Sequence, residues 1–98
     1  MKSESKNVSR VIVRIWKKSV AFVETPILIF PDEIGRNYCV QMWEPVGQHG
    51  PGDPQSVIMR TRPATAEETT DVVRRYETNY RCSLKVMKRL PRIDWSKT

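Results

Sequence analysis

The chain holds one histidine and two cysteines in 98 residues. Cys39 and Cys82 lie far apart and match no metal-ligand spacing. One histidine and scattered carboxylates do not supply the three or four convergent ligands of a zinc site, so metal binding is excluded. Long apolar runs are missing too. None approaches the roughly 18 residues of a membrane span, and Met1 to Ser9 lacks the apolar stretch of a secretory signal. Reduced thiols in a cytoplasm are therefore expected, with a Cys39–Cys82 bridge the less favoured alternative. Glycine is scarce, four residues without a collagen period. Collagenous, disulfide-scaffold, transmembrane and wholly disordered classes all fall away.

Acidic residues are also in deficit: 11 Asp and Glu face 17 Lys and Arg, leaving +6. The excess is uneven. Residues 1–18 carry +5, from Lys2, Lys6, Arg10, Arg14, Lys17 and Lys18 against Glu4. Residues 81–98 carry +5, from Arg81, Lys85, Lys88, Arg89, Arg92 and Lys97 against Asp94, while 19–80 carry −4. If the two basic ends meet in the fold, they form one positive face suited to phosphates. Otherwise they are solvated charges that serve solubility. The remaining composition, 39% hydrophobic and 29% charged, is that of one ordinary soluble domain. Its core must be compact, because so short a chain buries only about two-thirds of its unfolded surface.

Along the chain, residues 1–9 read as a flexible polar N-terminus, 10–90 as a single α+β domain and 91–98 as a C-terminal tail. Residues 10–16 are rich in β-branched side chains and predict a strand. Val11, Val13 and Ile15 fall on one face of it; Arg10, Ile12, Arg14 and Trp16 fall on the other. Lys17 to Ser19 suits a turn. Residues 20–30 are strand-like but interrupted at Pro26. A turn at 31–36 then leads to a third strand at 37–44, with Tyr38, Val40 and Met42 on one face. Three glycines and three prolines in 44–54 predict an irregular loop. Asp53 and Pro54 suit an N-cap and first helical position for a short helical turn to about Arg60, ended by Arg62-Pro63.

Thr65 with Glu68 forms a capping box for the main helix, whose buried stripe is Thr69, Val72, Val73, Tyr76 and Tyr80. Asn79 suits the left-handed residue at its end. A last strand follows at 81–89, with Cys82, Leu84 and Val86 inward. The expected fold is an antiparallel sheet of about four strands with one main helix packed on one face, β-β-β-α-β plus the short helical turn. The second face must then be solvated, covered by the tail, or covered by a partner.

Several of these segments together resemble a family of small proteins encoded by bacterial phages and other mobile elements. The resemblance is carried by Val46-Gly47-Gln48-His49-Gly50 up to Asp53, by Thr61-Arg62-Pro63-Ala64-Thr65 with Glu67-Glu68, and by Leu84-Lys85-Val86. Val11 to Arg14 and Ile29 to Glu33 look like the first two elements of the family pattern, so coverage runs roughly from 11 to 90. Glu44-Pro45 stands where the family usually has a histidine, Thr69 replaces a tyrosine, Asn79 replaces a glycine, and the stretch between Lys18 and Ile27 is longer than usual. The missing histidine argues against chemistry that needs a histidine pair. The resemblance implies a mobile-element context in a bacterial cytoplasm and no activity.

Three kinds of site remain to be weighed. The loop 47–53 has no Gly-Lys-Ser/Thr after it, and its prolines remove amides that a phosphate cradle would need. As a catalytic centre it offers His49 as base, Asp53 as its orienter and Cys39 or Ser56 as nucleophile, a set no recognised motif supports. The alternatives are that its glycines serve turn geometry while Gln48 and His49 hydrogen-bond the loop onto the sheet, or that Gln48 and His49 contact a partner at the loop tip. The basic strands are more informative. If the first and last strands are neighbours, Arg10, Arg14, Lys85 and Arg89 share the face away from the helix, with Ile12 and Trp16 between them. Charge for phosphates beside a ring for a base is what single-stranded nucleic acid requires. The alternative is that Trp16 is core, covered by Ile93 and Trp95.

The expectation is a non-enzymatic accessory protein that binds nucleic acid through this basic face, without cofactor, metal or membrane. The competing reading is a protein-binding inhibitor or adaptor acting on a host complex, for example in counter-defence. Its hot spots would come from Trp16, Trp43, Trp95, Tyr38 and Arg62.

Overall fold

The computed structural model describes residues 8–18, 23–45, 48–93 and 95. Its elements are β1 (Val8–Trp16), β2 (Pro26–Ile34), β3 (Val40–Glu44), β4 (Gln48–Gly52), α1 (Pro54–Arg60), β5 (Thr61–Pro63), α2 (Ala66–Tyr80) and β6 (Ser83–Val86). The class is α+β, with six strands and two helices among the described residues where about four strands and one main helix are expected. Two short strands account for the excess. The segment expected to be irregular contains β4, which pairs antiparallel with β3. The residues expected only to end the short helix form β5 against β1. The sheet order is β4-β3-β2-β1-β5, and β6 pairs β1 in parallel.

β1 alternates as its sequence predicts, yet both of its faces are buried. Val11 and Val13 join Leu28, Phe30, Trp43 and Val72 in a core beneath α2. Ile12 joins Ile27, Ile29, Val40 and Val57 in a second core on the other face. That second face is closed by α1 and by the segment after β6, whose Met87, Leu90, Ile93 and Trp95 pack onto it. The sheet is thus a middle layer, and of the alternatives for its second face the structure shows cover by the chain itself, from α1 and the segment that runs into the tail. β1 also begins at Val8, within the stretch expected to be frayed, because Val8 and Ser9 pair with Ser83 and Leu84. Residues 1–7, together with 19–22 of the expected turn and second strand, lie outside the described residues.

Two turns fall elsewhere than the sequence suggests. β2 runs on through Pro31 to Ile34, and an irregularity in its pairing with β3 between Phe30 and Ile34 takes up the proline, which has no N–H for the ladder. The chain reverses at Arg36–Cys39 instead. There Asn37 and Tyr38 both take φ 59°, the left-handed pair that matches strand twist in a two-residue hairpin. The main helix outlasts Asn79: Tyr80 is its final residue, and Arg81 takes the left-handed position at φ 51°. Trp43 Nε1–H donates to Tyr80 Oη at 3.1 Å and ties that last residue to the sheet. The Glu77 carboxylate then accepts the Leu84 N–H at 2.8 Å, which sets the start of β6.

Both expected helix starts form. Asp53 accepts the Gln55 N–H at 3.1 Å, and Thr65 and Glu68 make the reciprocal capping box. Glu68 has a second role. Arg62 donates to both of its oxygens, at 2.9 and 2.8 Å, and also reaches Glu24 at 3.2 Å. Arg62 and then the Thr65 N–H hold the Glu68 carboxyl near 2, below its ordinary 4.5.

A carboxyl lowered by folding stabilises the fold above its unfolded pKa, and that contribution disappears as pH falls through the folded value. The thermal midpoint of the native chain should therefore exceed that of Glu68→Gln at neutral pH, with the gap closing between about pH 4.5 and pH 2. A gap that stays constant with pH would mean the pair does not form. For the core, Trp43→Ala should cost about 3–5 kcal/mol in urea unfolding, since Trp43 is fully buried beneath α2.

Candidate functional site

The two basic ends do meet where the structure describes them. The parallel register of β1 and β6 sets Arg10 opposite Lys85. Residues beyond β6 continue the charge: Lys88, Arg89 and Arg92 are all exposed. Arg10 is partly spent, because its Nε–H donates to Asp32 Oδ2 at 2.7 Å and a second guanidinium nitrogen reaches Oδ1. The hydrogen bond and the charge of Asp32 raise the Arg10 pKa above its ordinary value.

Arg14 belongs to the interior. Its Nε–H donates to Thr61 Oγ1 at 2.9 Å, and its terminal nitrogen donates to the carbonyls of Ile58 and Thr61 at 3.1 and 2.7 Å. The Ile58 carbonyl at the end of α1 also accepts the Thr61 N–H, and the guanidinium adds a second, charged donor there while reaching the first carbonyl of β5. Burial lowers its pKa from the ordinary arginine value. Thr61, buried at 2% exposure, donates a hydrogen bond from its own hydroxyl to the Val57 carbonyl at 2.7 Å. Arg14 therefore does not share an open face with Arg10, Lys85 and Arg89; it clamps α1 to β1.

Trp16 is half-buried against the second core, in the same layer as Ile93 and Trp95. Its indole N–H reaches across β2 and donates to Glu44 Oε2 at 3.1 Å. Beside it opens a cleft of about 600 Å³, lined by Trp16 with Val23, Thr25 and Glu44, and by the cations Lys17, Lys18 and Arg60. The antiparallel pairing of Trp16 with Thr61 brings Lys17 to the end of α1, where its backbone N–H donates to the Arg60 carbonyl at 3.2 Å. Lys17 Nζ also donates to the Met59 carbonyl, at 3.4 Å. Lys18 and Arg60 are exposed.

The sequence marks Trp16 but not its neighbours here. Lys17 and Lys18 read as turn residues, and Arg60 sits far along the chain in a short helix. The one signal available is a pair of lysines directly after a tryptophan.

The glycine-containing segment is a strand and not the irregular loop expected. Among the described residues its glycines do not serve turns: Gly50 and Gly52 lie in β4, and neither has a positive φ. A side chain at Gly52 would meet Met42 Cε and Sδ at 2.5 Å, so glycine there lets the thioether lie against the strand. His49 is exposed on β4, opposite Trp43, with its ring 5.4 Å from Tyr80 and 6.1 Å from Tyr76. It completes an aromatic cluster in which burial pushes the Tyr76 hydroxyl up to about 12. Asp53 is committed to capping α1. Burial, then Glu77, raises the Cys82 thiol above its ordinary value, the reverse of what activates a thiolate. Gln48 opens β4; its side chain, and Val46 and Gly47, lie outside the described residues.

The suggested hot spots separate in the same way. Trp43 is core and Arg62 is held by Glu68 and Glu24, whereas Tyr38 is 69% exposed and meets Trp95 edge-on at 5.4 Å. Among the described residues no cluster of metal-ligating side chains occurs, and no helix is long and apolar enough to cross a membrane. Comparison with protein-family models, curated proteins and solved structures finds no match.

The structural assignment of Arg14 is testable by unfolding. Arg14→Ala removes the charged donor shared by the Ile58 and Thr61 carbonyls and the Thr61 hydroxyl, and should cost about 2–3 kcal/mol in urea denaturation. Arg89→Ala, on the exposed segment after β6, should change stability by less than about 0.5 kcal/mol. Equal effects would contradict the assignment.

Proposed function

We propose that this chain is a non-enzymatic accessory protein of a phage or mobile element that binds nucleic acid through its basic surface. The observation that carries the reading is the parallel pairing of β1 with β6. It places Lys85 beside Arg10 and continues into the exposed cations Lys88, Arg89 and Arg92. Lys85, Lys88, Arg89 and Arg92 are exposed, and among the described residues no carboxylate lies within ion-pair distance of them. Such a strip attracts a polyanion by releasing its counterions. The cleft at Trp16 supplies a ring with three further cations, about 20 Å along β1 from Arg10 by strand geometry. Together they replace the single flat face with two basic stations on one strand.

Host-protein binding is favoured by a different observation, the exposed Tyr38 against Trp95 at the β2–β3 hairpin. Salt separates the two readings. Fluorescence anisotropy with labelled thymidine oligonucleotides should show micromolar or tighter binding, with a log–log salt slope of several phosphates. Lys85→Glu with Arg89→Glu should weaken it at least about tenfold and flatten the slope by about one or two. Absent or salt-insensitive binding would exclude the nucleic-acid reading and direct attention to Tyr38 and Trp95.

A further inference from the structure

The cleft at Trp16 holds one residue that a simple anion site would avoid. Lys17, Lys18 and Arg60 offer positive charge, yet Glu44 stands among them. Its Oε2 accepts the Trp16 indole N–H, while Oε1 accepts nothing among the described residues. A carboxylate has about four lone-pair positions, so this one, lining the cleft, retains acceptor capacity. The neighbouring surface supplies Lys18 and Arg60 as exposed donors. Aromatic ring, half-engaged carboxylate and peripheral cations therefore converge on one cleft, whose volume of about 600 Å³ falls within the range of small-ligand sites.

We infer that this cleft takes a guanine base of a nucleic acid, stacked on Trp16, with its N1–H and N2–H donating to Glu44 and the flanking phosphates on Lys17, Lys18 and Arg60. The inference rests on the nucleic-acid reading and names the base. Two adjacent donors on the Watson–Crick edge occur together only in guanine. Adenine and cytosine each place a ring-nitrogen acceptor beside their amino group, and it would face the carboxylate lone pairs. Thymine and uracil set one N–H between two carbonyl oxygens, which repel the carboxylate on both sides. Stacking alone tolerates every base, so selectivity must come from the edge contact. Glu44 is the acceptor available for it. The Trp16–Glu44 hydrogen bond contributes by fixing ring and carboxylate relative to each other before any base arrives.

The test compares a thymidine oligonucleotide with the same oligonucleotide carrying one central guanosine, by anisotropy at constant salt. Native protein and Glu44→Gln are measured side by side. Glutamine keeps a carbonyl to accept the Trp16 N–H but replaces the second acceptor with a donor. Native protein should bind the guanosine oligonucleotide about tenfold more tightly. Glu44→Gln should bring both affinities to the thymidine level. Inosine in place of guanosine keeps N1–H, loses the amino group and should fall between. The Trp16 indole N–H resonance should shift on adding GMP and stay unmoved by inorganic phosphate.

Equal binding of both oligonucleotides would overturn the guanine assignment and leave the nucleic-acid reading standing. So would a guanosine preference that survives Glu44→Gln, or a Trp16 shift that phosphate reproduces. Binding of neither oligonucleotide would overturn both.

Discussion

The pairing of β1 along both of its edges is the constraint from which the rest of the molecule follows. One long edge pairs with β2 from Ile12 to Ile15. The other is divided, with its first half parallel to β6 and its last three residues antiparallel to β5. Partners along Val8–Val11 and Arg14–Trp16 cover both ends of that edge against recruitment of another chain. The same strand is the floor of two cores, since Val11 and Val13 lie beneath α2 while Ile12 lies beneath α1 and the final segment. A strand buried on both faces and paired on both edges leaves charged side chains few ways out. Arg14 stays because the end of α1 presents the carbonyls that a guanidinium needs. Arg10 and Trp16, near the two ends of the strand, reach the surface and carry the candidate chemistry there.

Much of this architecture was legible because it is local. The alternation of 10–16, the capping box at Thr65 and Glu68, the Asp53 cap and the proline at the first position of α1 are each set by residues within a few positions of one another. What escaped depends on long-range pairing. β4 carries two glycines and a proline, the signature of a loop, and becomes a strand because it is an outer edge where Pro51 need bring no N–H. Tyr38 in a left-handed turn was not legible, because its compensation is contact with Trp95 across the fold. The helix end moved from Asn79 to Arg81 for a similar reason: a tryptophan on β3 holds Tyr80.

The candidate site was half visible. That the first and last strands are neighbours follows from the helix returning the chain to the sheet, and Arg10 with Lys85 is its direct expression. The fate of Arg14 was not visible, since its acceptors lie 44 and 47 residues away. Nor does sequence separate a charge turned to solvent from one held in an ion pair. Arg10 and Arg62 are engaged by carboxylates, while Lys85, Lys88, Arg89 and Arg92 have no such partner among the described residues. Net charge counts these alike; only the paired geometry divides structural cations from available ones.

The divided edge of β1 also orders events in time. β6 docks beside residues near the opposite end of the described chain, and a parallel contact of such separation incurs its loop-closure entropy before it contributes any stability. β1 and β2, by contrast, are close in sequence and can associate early. During synthesis the first half of the β1 edge must therefore stand open until residues 83–86 have left the ribosome. For that interval the nascent protein exposes Val8 to Val11 as an unpaired strand, a window for chaperone capture or misassociation that closes with the last pairing.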